Sequence, residues 1–198
     1  MTTKKKKFIP LENAKLEVEI TSRRIGLLHL AYAKTLVKEF GEKRGKEIIV
    51  KAIKYYGKLI GEKVREDVKA QDLESTPKNY GAGKARNLPK FGMHEKKEQI
   101  EVENEKRIRS YGCAMAKIWR EYGEEELGSL YCYIDISKYM FYNPNYKMIH
   151  TKTMPVSGSD YCELAVRHTT EKERKDFFSE DKDWLYMDGE ITKKEGGK

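Results

Sequence analysis

Along the chain, hydrophobic residues first keep a helical period and later switch to alternation. Over residues 22–69 apolar positions recur at three- and four-residue steps, the period of a helix with one buried face. Ile25, Leu28, Tyr32, Leu36 and Phe40 form one stripe, and Gly41 follows as a stop. Ile49, Ala52, Ile53, Tyr56, Ile60 and Val64 form the next, with lysines and acids opposite. These runs predict a helical hairpin over 22–70, preceded by a basic segment, 1–21. From 71 to 97 the period stops, and Pro77, Gly81, Gly83, Pro89 and Gly92 punctuate a basic stretch. A loop this long is either a connector or a functional lid. Its Tyr80, Arg86 and Phe91 suit a cover over an anionic ligand.

Beyond the loop, Gln99–Glu103 alternates as a strand does. Tyr111 to Tyr122 reads as a short helix ended by Gly123, and Glu126 to Tyr139 as a second helix. Lys147 to Met154 predicts a strand, 156–160 a tight turn, and Tyr161 to His168 the antiparallel partner. A polar tail, 171–198, carries Phe177, Phe178, Trp184, Leu185 and Tyr186, which can dock on the core. The expectation is one α+β domain over 22–170, an N-terminal helical hairpin followed by a small antiparallel sheet covered by helices, with the motif-bearing part at 98–170.

Composition narrows the function. The net charge of +8 would suit nucleic acid, but basic residues alternate with acids, as in Glu42-Lys43-Arg44-Gly45-Lys46-Glu47. Such mixing marks a solvated helix face, so no nucleic-acid partner is expected. No apolar run approaches the roughly 20 residues that span a bilayer. The start, Met1-Thr2-Thr3 and Lys4 to Lys7, has no apolar signal region, so a cytoplasmic protein without a membrane partner is expected. Three cysteines, an odd number, favour free thiols over a disulfide framework. With 11% aromatic residues there is material for a homodimer interface.

All three cysteines lie between 113 and 162, and their surroundings limit the chemistry. On a helix, Cys132 and Asp135 share a face. A carboxylate there orients a His or a water, or takes a proton, but disfavours the thiolate. A thiolate would need a cation such as Lys138, Lys147 or Arg167, or a metal. In a strand, Asp160 and Cys162 would point one way and Glu163 the other, toward solvent. Two uses compete. Cys113, Cys132 and Cys162 form a candidate metal set, although no Cys-x-x-Cys pair is present. Alternatively a thiol works with a carboxylate and one of His29, His94, His150 and His168, which sequence does not choose among. For His150 and His168 a surface position is the ordinary expectation, and for His29 a packed or surface one. Neither a phosphate-binding nor a dinucleotide glycine motif occurs.

The ordered set Cys113-Ala114-Met115-Ala116, Tyr131-Cys132-Tyr133-Ile134-Asp135, Asn143-Pro144 and Gly158-Ser159-Asp160-Tyr161-Cys162-Glu163 resembles the L-2-amino-thiazoline-4-carboxylic acid hydrolase family. The resemblance extends upstream through Phe40-Gly41 and Tyr56-Gly57-Lys58, and departs from the family pattern by one residue inserted between Gly158 and Asp160. It implies a hydrolase acting on a non-peptide C–N bond of a small cyclic amidine. The closing hairpin is also similar to 4-vinyl reductase-type domains, which implies a second class, a small-molecule or metal-binding module without turnover. The candidate pocket is lined by Cys113, Cys132, Asp135, Tyr139, Asp160 and Cys162. Cys132 or Cys162 is the expected nucleophile or ligand, Asp135 and Asp160 its carboxylates, and Tyr139, Arg86 and Arg167 the substrate contacts. No cofactor is required by this reading, and it leaves room for a single divalent metal.

Overall fold

The computed structural model describes residues 8–82 and 92–192. Two long antiparallel helices come first: α1 (Leu11–Phe40) and α2 (Glu42–Lys69), joined at Gly41, whose φ of 77° suits glycine alone. A short 3-10 turn (Pro77–Ala82) leads to β1 (Lys96–Val102) and β2 (Glu105–Tyr111). The chain continues through α3 (Ala114–Glu121), α4 (Glu125–Ser129), a 3-10 turn (Leu130–Tyr133) and α5 (Ile134–Tyr142). Then follow β3 (Tyr146–Lys152), α6 (Met154–Ser157), β4 (Tyr161–His168), α7 (Glu171–Phe178), a 3-10 turn (Leu185–Asp188) and α8 (Gly189–Thr192). The four strands form one antiparallel sheet in the order β1-β2-β4-β3. The expected α+β architecture is the one observed, and among the described residues no helix is long and apolar enough to cross a membrane.

The helical hairpin is present, with two differences. Helix α1 begins at Leu11 rather than near residue 22, because its first turns of Lys and Glu propagate a helix without a core stripe to reveal it. The face read as its core side is only partly right: Ile25 and Leu36 pack against the core. Leu28, Tyr32 and Phe40 are exposed, whereas Ser22, Gly26, Leu30 and Ala33 are buried. Small residues let α3 approach closely: a Cβ at Gly26 would lie 2.8 Å from Ile118, and Trp119 Nε1 donates to Gly26 O at 3.1 Å. In α2 the expected Ile49, Ile53, Ile60 and Val64 are buried, Ala52 is not, and Gly57 and Gly61 press against α5.

Strand β2 has no counterpart in the hydrophobic pattern. It pairs with β1 through the two-residue turn Glu103-Asn104, both at positive φ (51° and 65°) as a hairpin turn demands. Its Arg107 and Arg109 do not face open solvent; they close on Glu163 of β4 at 2.7 and 2.9 Å. Glu163, expected outward and solvated, is therefore buried at 5% exposure, with Thr151 Oγ1 donating to it as well. The predicted helix over 126–139 is broken by the 3-10 turn that carries Cys132. The expected tight turn at 156–160 includes a helical turn, α6, closed by left-handed Gly158 (φ 62°).

The C-terminal segment packs on the core. Phe177, Trp184, Met187, Asp188 and Ile191 are buried, while Phe178 and Tyr186 stay exposed. Lys54 on α2 holds it, donating to Phe177 O and lying 4.4 Å from that ring. Trp184 meets Phe177 and Tyr133 edge-on at 5.1 and 5.4 Å.

Candidate active site

The three thiols converge. Cys113 stands at the N-terminus of α3, Cys132 in the turn before α5, and Cys162 on β4, where Met154 N donates to its sulfur at 3.2 Å. Burial pushes each thiol upward, Cys162 to about 12 and Cys132 well above its ordinary value. The charges at Asp135 and Asp188 push Cys132 further, and Asp135 acts the same way on Cys113 and Cys162. For Cys113 the Met115 and Ala116 N–H groups at the helix start oppose burial without overcoming it. These are neutral thiols at rest.

Beside them runs a line of ionisable groups. Asp188 Oδ2 accepts from His150 Nδ1 at 2.8 Å and from His150 N at 2.9 Å. His150 Nε2 lies 3.6 Å from Asp135 Oδ2, and Asp135 Oδ1 accepts from Lys138 Nζ. His150 is 4% exposed and Asp188 1%. Burial works to lower the His150 pKa, but the bond to Asp188 and the two carboxylate charges raise it above its ordinary value. Burial works to raise that of Asp135, but Lys138 and His150 hold it below the usual carboxylate range. Asp135 is thus an anion held between Lys138 and His150.

On the far side of Asp135 lie Tyr139, Tyr80, His94 and Lys97. Tyr80 stacks on Tyr139 at 4.5 Å, and both phenols are pushed up, first by burial and further by Asp135. Burial, with Lys97 and Lys138 nearby, lowers the His94 pKa to about 3, so its imidazole is neutral. Tyr80 Oη and His94 Nδ1 are buried and find no hydrogen-bond partner among the described residues. Buried polar atoms of this kind call for a partner such as a water, an ion or a small polar molecule. The segment bearing Tyr80 is pinned by the Asn143-Pro144 motif, since Asn143 Nδ2 donates to Ser75 O at 2.7 Å and Tyr142 Oη to Thr76 O at 2.9 Å.

Of the residues singled out from sequence, Cys113, Cys132, Asp135, Tyr139 and Cys162 come together. Asp160 does not. Gly158 and the bend after it turn the chain outward, so strand alternation begins only at Tyr161 and Asp160 is exposed. Arg167 is also elsewhere, bound to Glu105 at 2.6 Å. Arg86, with Lys84 and Phe91, lies outside the described residues. Lys147 is paired with Glu173. Among the histidines, His29 packs between Trp119 and Tyr131, His168 is exposed, and His150, read as a surface residue, is the buried one. Asp188 had no part in the sequence reading. Its signal was the apolar turn around it, Trp184, Leu185, Met187 and Ile191. Among the described residues no group of three or more His, Cys, Asp or Glu side chains is placed as a metal site requires.

A groove of about 1790 Å³ runs along Lys43, Lys51, Lys54 and Lys58 of α2 and the segment 178–185. None of the thiols, Asp135 or His150 lines it, and it is larger than the roughly 300–1,000 Å³ of a small-ligand pocket.

No curated protein and no solved structure is measurably similar to this chain. The family model described as L-2-amino-thiazoline-4-carboxylic acid hydrolase matches residues 20–166, a span that holds the three cysteines, Asp135, Lys138, Tyr139 and His150. With its thiols and carboxylate standing in one buried cluster, the chain belongs to the L-2-amino-thiazoline-4-carboxylic acid hydrolase family.

Proposed function

We propose that this protein hydrolyses a non-peptide C–N bond of a small cyclic amidine bearing a carboxylate, with Cys132 as nucleophile. The observation that carries the reading is the buried line Lys138–Asp135–His150–Asp188 beside the three thiols. An amidine is cationic near neutral pH and finds its counter-charge in Asp135. The substrate carboxylate is received by Lys138 and by the unpartnered Tyr80 Oη, with His94 alongside.

Because Cys132 is a neutral thiol, its addition must be coupled to proton transfer. The S–H proton passes to Asp135 as sulfur bonds to the amidinium carbon, so no free thiolate forms and the adduct is neutral. His150, whose protonated form the two carboxylates favour, then gives the Nε2 proton to the ring nitrogen as the C–N bond breaks. Water displaces the thiol from the resulting thioimidate. The two protons of that water restore Cys132 and His150, Asp135 passes its proton to the product amine, and the product is the ring-opened thiocarbamate. Net consumption is one water. Cys113 and Cys162 form the wall of the site.

The test is turnover of 2-aminothiazoline-4-carboxylate, followed by mass spectrometry for a product heavier by one water. The wild type is expected to form it, and Cys132→Ala to lose at least ~100-fold in kcat. Unchanged turnover in both Cys132→Ala and Cys162→Ala would end the thiol mechanism. Saturable binding without any product would instead favour the ligand-binding module.

A further inference from the structure

Residue Asp188 lies beyond the family-matched span, which ends at residue 166, yet it makes the shortest contacts that His150 receives. Both contacts converge on one oxygen. Oδ2 accepts from the ring Nδ1 at 2.8 Å and from the backbone N–H of the same residue at 2.9 Å, which fixes the imidazole relative to its own strand. The carboxylate side chain is fully buried, and its second oxygen, Oδ1, finds no partner among the described residues. A buried carboxylate is retained at the expense of its hydration only where its charge is used.

The elements around it explain how it gets there. Asp188 ends a 3-10 turn whose Trp184 and Met187 are buried, and Ile191 of α8 anchors the next turn. Phe177 and the Lys147–Glu173 ion pair fasten α7 one step earlier. The segment 171–192 is thus held over β3 at several independent points. The charged groups facing His150 are Asp188 from this segment and Asp135 and Lys138 from α5, while Lys147 of its own strand is committed to Glu173.

We infer that Asp188 is the positioning residue of the site: it holds His150 with Nδ1 bound and Nε2 turned to Asp135, so that the C-terminal segment completes an active site the family-matched block leaves unfinished. Asp188 touches no reacting atom and acts through the imidazole. A fixed Nδ1–H leaves Nε2 as the sole nitrogen able to exchange a proton with the substrate, the arrangement that an Asp–His pair supplies in hydrolytic triads. The inference rests on the proposed hydrolysis for its kinetic arm but not for its structural one.

The test compares full-length wild type with Asp188→Asn, which keeps shape and removes charge, and Asp188→Glu, which restores charge. Histidine-selective NMR follows His150 as a function of pH, and kcat and KM are measured in parallel on 2-aminothiazoline-4-carboxylate. In Asp188→Asn the His150 midpoint should fall by about one pH unit or more. Its kcat should fall about 100-fold with KM within a few-fold, and Asp188→Glu should recover part of both. Folding of each variant is checked by circular dichroism. An unchanged midpoint in Asp188→Asn overturns the inference whatever the activity. A shifted midpoint with unchanged kcat overturns it too, because the hold would then serve nothing. If the wild type opens no cyclic amidine, the proposed hydrolysis is what fails, and the NMR midpoint alone decides whether Asp188 governs His150.

Discussion

Replacing Gly61 with alanine should separate the two helices that carry and support the site. Ala is the better helix former by about 1 kcal/mol, so on propensity alone the change would stabilise α2. The packing says otherwise. A Cβ at Gly61 would stand 2.3 Å from Lys138 O, 2.9 Å from Phe141 Cβ and 3.0 Å from Tyr142 N. Ordinary contact begins near 3.4 Å, so α5 must retreat by 3.4 − 2.3 = 1.1 Å along that direction. The nearest obstacle is backbone, which no rotamer change relieves. Overpacking of this kind costs up to about 3 kcal/mol, leaving a net loss of about 2 kcal/mol. At ~2–4 °C per kcal/mol for a chain of this size, Tm should drop by about 4–8 °C. Activity should fall further than stability implies, because α5 carries Asp135 and Lys138 while His150 sits on β3, already 3.6 Å away. The assay is thermal unfolding by circular dichroism together with kcat at a temperature where both proteins are folded. Ala52→Gly, at an exposed position of the same helix, gives the propensity scale and should cost about 1 kcal/mol. A Gly61→Ala variant as stable as wild type, or more so, would refute the argument that α2 and α5 need glycine between them.

Two other outcomes follow from the electrostatics. Glu163→Gln leaves Arg109 without its carboxylate and should cost about 2 kcal/mol at neutral pH, measured by urea unfolding. Although burial opposes it, Arg107, Arg109 and Thr151 hold the Glu163 pKa below its ordinary 4.5. Its contribution is therefore present above that value and lost as pH falls through the lower, folded one, so the wild-type advantage should shrink on acidification. Native protein at pH 8 should react only slowly with iodoacetamide at Cys113 and Cys162, since burial keeps both thiols protonated, and denaturant should release full labelling of all three cysteines.

What could be read from the sequence depended on whether burial used size or closeness. Helix α2 declared itself because Ile49, Ile53, Ile60 and Val64 fill space with apolar volume. Helix α1 misled because its buried face mixes Leu30 with Ser22, Gly26 and Ala33, small residues that let α3 come near, while Leu28, Tyr32 and Phe40 point outward. Strand β2 was hidden because Arg107 and Arg109 look solvated until Glu163 is placed opposite them, and only the Glu103-Asn104 turn marked the hairpin. In the site, Cys132 and Asp135 were legible as neighbours at helical spacing. The pairing of His150 with Asp188 was not, because no local period links residues on a strand and on a distant turn. Arg167 was misassigned because the register that gives it Glu105 is a property of the sheet.

The strand order leaves β1, like β3, at an edge of the sheet, and among the described residues β1 is hydrogen-bonded to β2 alone. An unpaired edge invites strand addition by another chain and, in the extreme, fibrils. Here it reads Lys96-Lys97-Glu98-Gln99-Ile100-Glu101-Val102, and its charges make stacking of a second copy in register unfavourable. Lys97 has a second consequence, since its charge reaches Asp135, Cys113 and His94. Protection of the edge and the electrostatics of the buried cluster therefore share a residue. Neutralising the edge lysines would make the protein prone to self-association and retune the buried cluster in the same stroke, so the two properties are not free to vary independently.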